Sequence, residues 1–153
     1  MIIGIGSDHI GYELKEIIKK YLQEELNLKI RDFGSYSKDE VDYPDIAAQV
    51  AEAVAKRELG SGILVCGTGI GMSIAANKVP AVRAALCHDT YSAERAKKSN
   101  NAQILTMGAR VIGPELAKKI VEAFVKSEFS GGPSARKVDK ITQIEDKYTK
   151  GRV

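Results

Sequence analysis

The chain is short of cysteine, of net charge and of long apolar runs, and each shortage closes off a class of protein. Its 153 residues hold two cysteines, Cys66 and Cys87, with no close paired spacing. That argues against a disulfide scaffold and against a zinc knuckle, and a reducing, cytoplasmic setting is the economical reading. The net charge is only +3 and is spread along the chain. The one concentrated basic stretch, Arg136 to Arg152, is interleaved with acids. It reads as a solvated helix face, so no nucleic-acid partner is expected. No run approaches transmembrane length, and Asp8, Glu13 and Lys15 break up the first stretch. Neither a membrane span nor a signal peptide's apolar region is expected.

The dinucleotide fingerprint is missing too. Gly67-x-Gly69-x-Gly71 brings its third glycine one residue early, and no Lys-Ser/Thr follows to make a P-loop. What remains is an ordinary soluble composition, 44% hydrophobic and 28% charged. A chain of this length forms one domain, residues 1–153, and buries a sizeable core without staples.

The organising stretch runs from Gly62 to Lys78. Ile63-Leu64-Val65 reads as a strand buried on both faces. Cys66-Gly67-Thr68-Gly69-Ile70-Gly71 follows, and then an Ala-rich helix to about Lys78. Strand, glycine turn and helix start make a concavity of backbone N–H groups at a positive helix end, which suits an anion. Alone, such a turn could merely close a strand–helix unit. The thiol of Cys66 at its mouth favours function: a thiolate there is supported by the helix dipole and can act as base or nucleophile beside an anion.

The rest of the chain repeats the pattern. Met1 to Gly6 is a first strand, followed by Ser7-Asp8-His9 and a helix whose stripe is Leu14, Ile17, Ile18, Tyr21 and Leu22. Leu28 to Phe33 is a second strand and Gly34 to Asp42 a polar loop. Pro44 suits the first turn of a helix with stripe Ile46, Val50, Ala53 and Val54. Val79-Pro80 ends the central helix. Val82 to Cys87 is a fourth strand, Tyr91 to Lys98 a short helix, and Ala102 to Met107 a fifth strand. A helix through Phe124 follows, with stripe Leu116, Ile120, Val121 and Phe124. Gly131-Gly132-Pro133 is a linker, and Ser134 caps a last helix to about Tyr148.

Five β-then-α units with short connections mean a parallel sheet with helices on both faces, an α/β fold. Ligands of such sheets bind at the strands' carboxyl ends. Asp8, His9, Tyr43, Cys66 to Gly71, His88 and Asn100 follow strands, with Arg110 after the fifth, so the polar residues are expected to gather at one edge. The last helix has no strand partner and is expected to pack on a neighbouring subunit.

Ser7-Asp8-His9, Asp42-Tyr43-Pro44, the run Cys66 to Lys78, and Asn100-Asn101-Ala102, in that order, resemble type B ribose-5-phosphate isomerase, a family grouped with galactose-6-phosphate isomerase. The resemblance covers essentially the whole chain. It implies a Rossmann-like three-layer α/β/α sandwich and a homodimer or tetramer with active sites shared between subunits. It implies neither cofactor nor metal, and a phosphosugar substrate interconverted between aldose and ketose through an enediolate. By matching positions it implies that Cys66 moves the proton between C1 and C2. Thr68 and the amides of Gly67, Gly69 and Gly71 would hold the oxyanion. Asp8 and Tyr43 would contact hydroxyls, Asn100 the reactive end, and His9 and Arg110 the phosphate.

Two positions depart from the family. Ser99 stands where a histidine thought to open the furanose ring is usual; His88 is the nearby candidate substitute, or else a surface turn residue. Gly131-Gly132-Pro133-Ser134 replaces a usual Gly-Gly-Arg-His, and Arg136 and Lys137 are candidates to supply the missing charge. These changes bear on the substrate: ribose 5-phosphate is the first expectation, with allose 6-phosphate, galactose 6-phosphate or an open-chain tetrose phosphate as alternatives. From other classes come a non-catalytic sugar-phosphate-binding subunit and a flavodoxin-like nucleotide-binding domain. A poised thiol argues against the first and the glycine spacing against the second.

Bland roles remain open for single residues. Asp8 can be a helix N-cap and Tyr43 a hydrophobic staple. Cys87 reads as packing, Arg83 as half of a structural ion pair, and Asn77 and Lys78 as a helix end.

Overall fold

The computed structural model describes residues 1–150. It alternates strand and helix: β1 (Ile2–Ser7), α1 (Tyr12–Glu24), β2 (Lys29–Asp32), α2 (Tyr43–Ala55), β3 (Ser61–Cys66), α3 (Ile70–Ala76), β4 (Ala84–Leu86), α4 (Thr90–Lys98), β5 (Ile104–Gly108), α5 (Pro114–Val125) and α6 (Pro133–Thr149). The strands form one parallel sheet in the order β2-β1-β3-β5-β4. β3 is central, and all six of its residues are buried. This is why its sequence is a continuous apolar run rather than an alternating one.

Alternate residues along the strands feed two cores. Ile3, Ile5, Ile63, Val65, Leu105 and Met107 pack with α1, α4 and α5 on one face. Leu64, Cys66 and Ile104 pack with α2 and α3 on the other. The three-layer α/β/α sandwich follows. Each fully buried Ile, Leu or Phe here contributes roughly 1.5–3 kcal/mol of transfer free energy, so the sheet and its two covers are fixed by apolar burial.

The helix ends and stripes hold most of the differences from expectation. The N-cap of α6 is Gly132 with Pro133 opening the helix, so Ser134 lies inside and does not cap. The fixed φ of proline suits that first position better than serine does. On α5, Ala117 rather than Leu116 faces the core, and Leu116 is exposed. On α1, Ile17 is exposed while Lys15 is wholly buried. The Lys15 ammonium lies 2.8 and 2.9 Å from the two oxygens of Asp32 and 2.6 Å from the Ser35 carbonyl. Burial pushes the Asp32 carboxyl up, but hydrogen bonds from Lys15 and Lys19 outweigh it and hold it below its ordinary value. Arg83 makes no ion pair among the described residues; its Nε donates to the Asn101 carbonyl. Asn77 does end α3, and its amide also takes both the N–H and the carbonyl of Ala84, blunting the outer edge of β4.

Candidate active site

A cleft of about 410 Å³ opens at the carboxyl end of β1 and β3, lined by Asp8, Tyr43, Cys66, Thr68 and Gly71 among others. Cys66 ends β3, and its side chain turns to the α2/α3 face. The Gly69 N–H donates to its Sγ at 3.0 Å. Gly69 sits in the left-handed region, at φ +79°, a conformation that favours glycine. Thr68 is exposed at the lip, and its Oγ1 accepts from the Ile70 N–H at 3.2 Å. Two amides of the turn are thus committed within the protein, at Gly69 and Ile70. Among the described residues, those of Gly67, Thr68 and Gly71 have no such partner.

Gly71 is glycine for a different reason. A Cβ there would lie 2.4 Å from the Tyr43 ring. The ring rests on the turn, so Tyr43 works as part of the cleft wall rather than as a staple. Nothing in the fold forces glycine at position 67, whose added Cβ would meet only Ile10 and Arg110 side chains at 3.6 Å and beyond.

Asp8 is not the N-cap of α1, a place taken by Gly11; it closes the turn before that helix and lines the cleft. Its Oδ1 accepts from the Gly11 N–H at 2.9 Å. His9 is half-buried, and the Val41 N–H donates to its Nδ1 at 3.4 Å. Arg110 is exposed, with its N–H on the Gly67 carbonyl and its stem beside Gly67.

His88 is no free surface residue. Its Nε2 accepts from the Gly108 N–H at 2.9 Å, so that nitrogen cannot also offer a proton. The bond gives His88 a hold on the end of β5, whose Gly108 pairs with Cys66. Cys87 is buried, and burial with nearby Asp89 pushes its thiol up to about 11, as fits a packing residue.

Asn100, Arg136 and Lys137 are not at this edge. The loop after α4 leads into β5, and Gln103 within it bonds Gly62 at the start of β3. Asn100 therefore lies at the amino edge of the sheet. Six residues of β3 at ~3.3 Å each put it roughly 17 Å or more from Cys66. α6 begins on the same side, where Ser130 reaches the Lys98 carbonyl, and its Glu145 reaches the Ala81 N–H ahead of β4. The expectation that the polar residues gather at one edge fails for Asn100, because a loop entering a strand lies opposite one leaving it. Lys15 and Thr106 were missed altogether. A lone hydroxyl inside the apolar run Ile104 to Met107 was the available signal for Thr106.

The comparisons bear on this geometry. A family model described as Ribose/Galactose Isomerase matches residues 3–141. The chain belongs to that family. Among its relatives, a ribose-5-P isomerase B of Listeria innocua is 52% identical over 147 residues, covering 96% of this chain and 99% of that one. A D-erythrulose-4-phosphate isomerase of Pectobacterium atrosepticum is 53% identical over 144 residues, covering 94% of each. The solved ribose-5-phosphate isomerase B of Clostridium thermocellum superposes with a TM-score of 0.94 at 50% identity, over 97% of this chain and all of that one. The family match thus spans residues 3–141, and the fold match 97% of the chain. Among the described residues, no helix is long and apolar enough to cross a membrane.

Proposed function

We propose that the protein is a single-domain, cytoplasmic aldose–ketose isomerase of phosphorylated sugars, acting on ribose 5-phosphate. The observation that carries the reading is the Cys66 sulfur, held by the Gly69 N–H at the lip of a cleft walled by Asp8 and Tyr43. A thiolate accepts such an N–H as a charge-assisted bond. It takes the proton from C2 of the open-chain aldose and returns it to C1. The enediolate's charge falls to the Thr68 hydroxyl and to the amides of Gly67 and Gly71, in a site where preorganised donors are the largest catalytic term. Asp8 and Tyr43 orient the sugar hydroxyls. His9 and Arg110 take the phosphate, for which the guanidinium fork is well shaped.

The site is completed by a second copy. Asn100 of the partner subunit would meet the reactive end of the sugar, and Arg136 and Lys137 of the partner subunit the phosphate. Two features support this. These residues are stranded at the far edge of their own sheet, and around the cleft Ile70, Ile74 and Leu86 expose an apolar rim. α6 buries only Val138 and leaves Ile141, Ile144 and Tyr148 open, as a helix that packs on a neighbour would.

Ser99 favours a second reading, a tetrose phosphate. Erythrose 4-phosphate carries its phosphate on the oxygen that would close a five-membered ring, so it stays open and needs no ring-opening acid. Serine at position 99 offers none. The test is a turnover panel of ribose 5-phosphate, allose 6-phosphate, galactose 6-phosphate and erythrose 4-phosphate, with Cys66→Ala as control. Ribose 5-phosphate turned over fastest, and lost in the variant, supports the first reading. Erythrose 4-phosphate preferred supports the second. Binding without turnover of any member sinks both in favour of a non-catalytic subunit.

A further inference from the structure

We propose that Thr106 is a positioning residue whose hydroxyl fixes the Gly69 carbonyl, and through the backbone torsions of Gly69 the N–H that holds the Cys66 sulfur. The inference rests on the reading of Cys66 as the base.

All five residues of β5 are buried, and Thr106 is wholly so. A buried hydroxyl must find a partner. Its Oγ1 donates to the Gly69 carbonyl at 2.9 Å, from 37 residues away in sequence. Thr106 pairs in register with Leu64, two residues before Cys66. Side chains of alternate residues share a face, so the hydroxyl lies on the Cys66 side of the sheet, under the turn.

Gly69 is the turn's pivot. A glycine has several backbone wells open to it, and the well that is held decides where its N–H points. In the observed one, the N–H meets Sγ and the carbonyl accepts twice, from the Ser73 N–H at 3.1 Å and from Thr106. The Ser73 bond belongs to the first turn of a seven-residue helix, an element that is weak alone. The Thr106 bond is rooted in the sheet, and it is the one anchor of this carbonyl that does not depend on α3. Main-chain atoms of Met107 stand 2.7 and 2.8 Å from where a Gly69 Cβ would be, so the turn already leans on β5 at this point. Thr106 itself is wholly buried beneath the turn and is not among the residues lining the cleft. Removing its hydroxyl should therefore slow proton transfer and leave binding alone.

The test uses the full chain with Thr106→Val, which keeps the shape and drops the hydroxyl, and Thr106→Ser, which keeps the hydroxyl. Three readouts are taken: kcat and KM on the panel sugar turned over fastest, the rate at which iodoacetamide captures Cys66 at fixed neutral pH (followed on the Cys66 peptide by mass spectrometry), and the melting curve. In the valine variant kcat should fall roughly tenfold with KM within about twofold, as for a misplaced catalytic group. Capture of Cys66 should slow about threefold, and serine should restore both. A folded valine variant with wild-type kcat and wild-type capture overturns the proposal, and so does a loss that serine fails to restore. Should the valine variant not fold, Thr106→Ala is judged by the same criteria. If Cys66→Ala keeps its activity, the reading of Cys66 as base falls, while the capture rates still decide whether Thr106 governs the sulfur.

Discussion

The two edges of the sheet are built on opposite principles. At the carboxyl edge the working groups are held from within. Cys66 is gripped by Gly69, Gly69 by Thr106, Asp8 by Gly11, and the Tyr43 ring lies on Gly71. At the amino edge Asn100, Arg136 and Lys137 stand in solvent, and α6 has almost nothing of its own chain to bury. One edge holds its groups fixed, the arrangement that the proposed electrostatic role calls for. The other carries loose charge and uncovered apolar surface, the character of a surface that meets another molecule.

The hardest blow to this contrast falls on the organised edge. Cys66→Ala should lower turnover about 10³-fold or more, the scale of losing a general base, with a melting curve close to wild type. Retained turnover would remove the thiol from the chemistry.

The contrast is sharpened by mixing subunits. Cys66→Ala and Asn100→Ala should each be nearly inactive. Co-refolded in equal amounts, they should recover about a quarter of wild-type activity if a two-fold symmetric dimer shares its sites, since half the dimers then hold one intact site. No recovery would mean that the two edges never meet.

Lys15 braces the organised edge from behind, tying α1 to the turn that leads toward Tyr43. Lys15→Met leaves Asp32 with Lys19 and the Gly34 N–H but takes the buried donor from the Ser35 carbonyl, and should destabilise the fold by about 1–3 kcal/mol in a denaturant titration. An unchanged midpoint would make the pair ornamental.

The smallest effect is at the amino side. Lys97 is largely buried, donating to the Ser61 hydroxyl at 2.6 Å and lying 4.7 Å over the Phe124 ring. Burial depresses its ammonium to about 8. A lysine whose folded value is depressed costs stability when charged. The full cost applies below pH 8 and fades as pH rises toward the ordinary lysine value of about 10.4. Lys97→Met should therefore stabilise the protein by about 1 kcal/mol at pH 7, a shift of a few degrees in Tm, after allowance for its partial exposure. The gain should shrink as pH rises across that window. An equal gain at pH 7 and pH 10 would show that packing, not charge, is responsible.

Much of the carboxyl edge was legible because its groups are contiguous. Cys66 to Gly71 is strand end, turn and helix start in one run, and Asp8 follows a strand directly. Local sequence dictates local geometry there. Lys15 was not legible, since a helical lysine reads as solvent-facing until Asp32 and Ser35 are seen around it. Nor was the exposure of Leu116, which depends on where α5 lies over α1 and α4.

The sequence by itself determined the α/β alternation, the parallel sheet and the chemistry of the glycine turn. Each rests on hydrophobic period and residue type within a few positions. Only the tertiary structure decided that Asn100 and α6 stand at the edge opposite Cys66, that Thr106 reaches Gly69, and that Tyr43 is the reason for Gly71. Those contacts span up to 37 residues of chain. They exist because burial of two apolar faces fixes the strand order, and the strand order then chooses which distant side chains become neighbours.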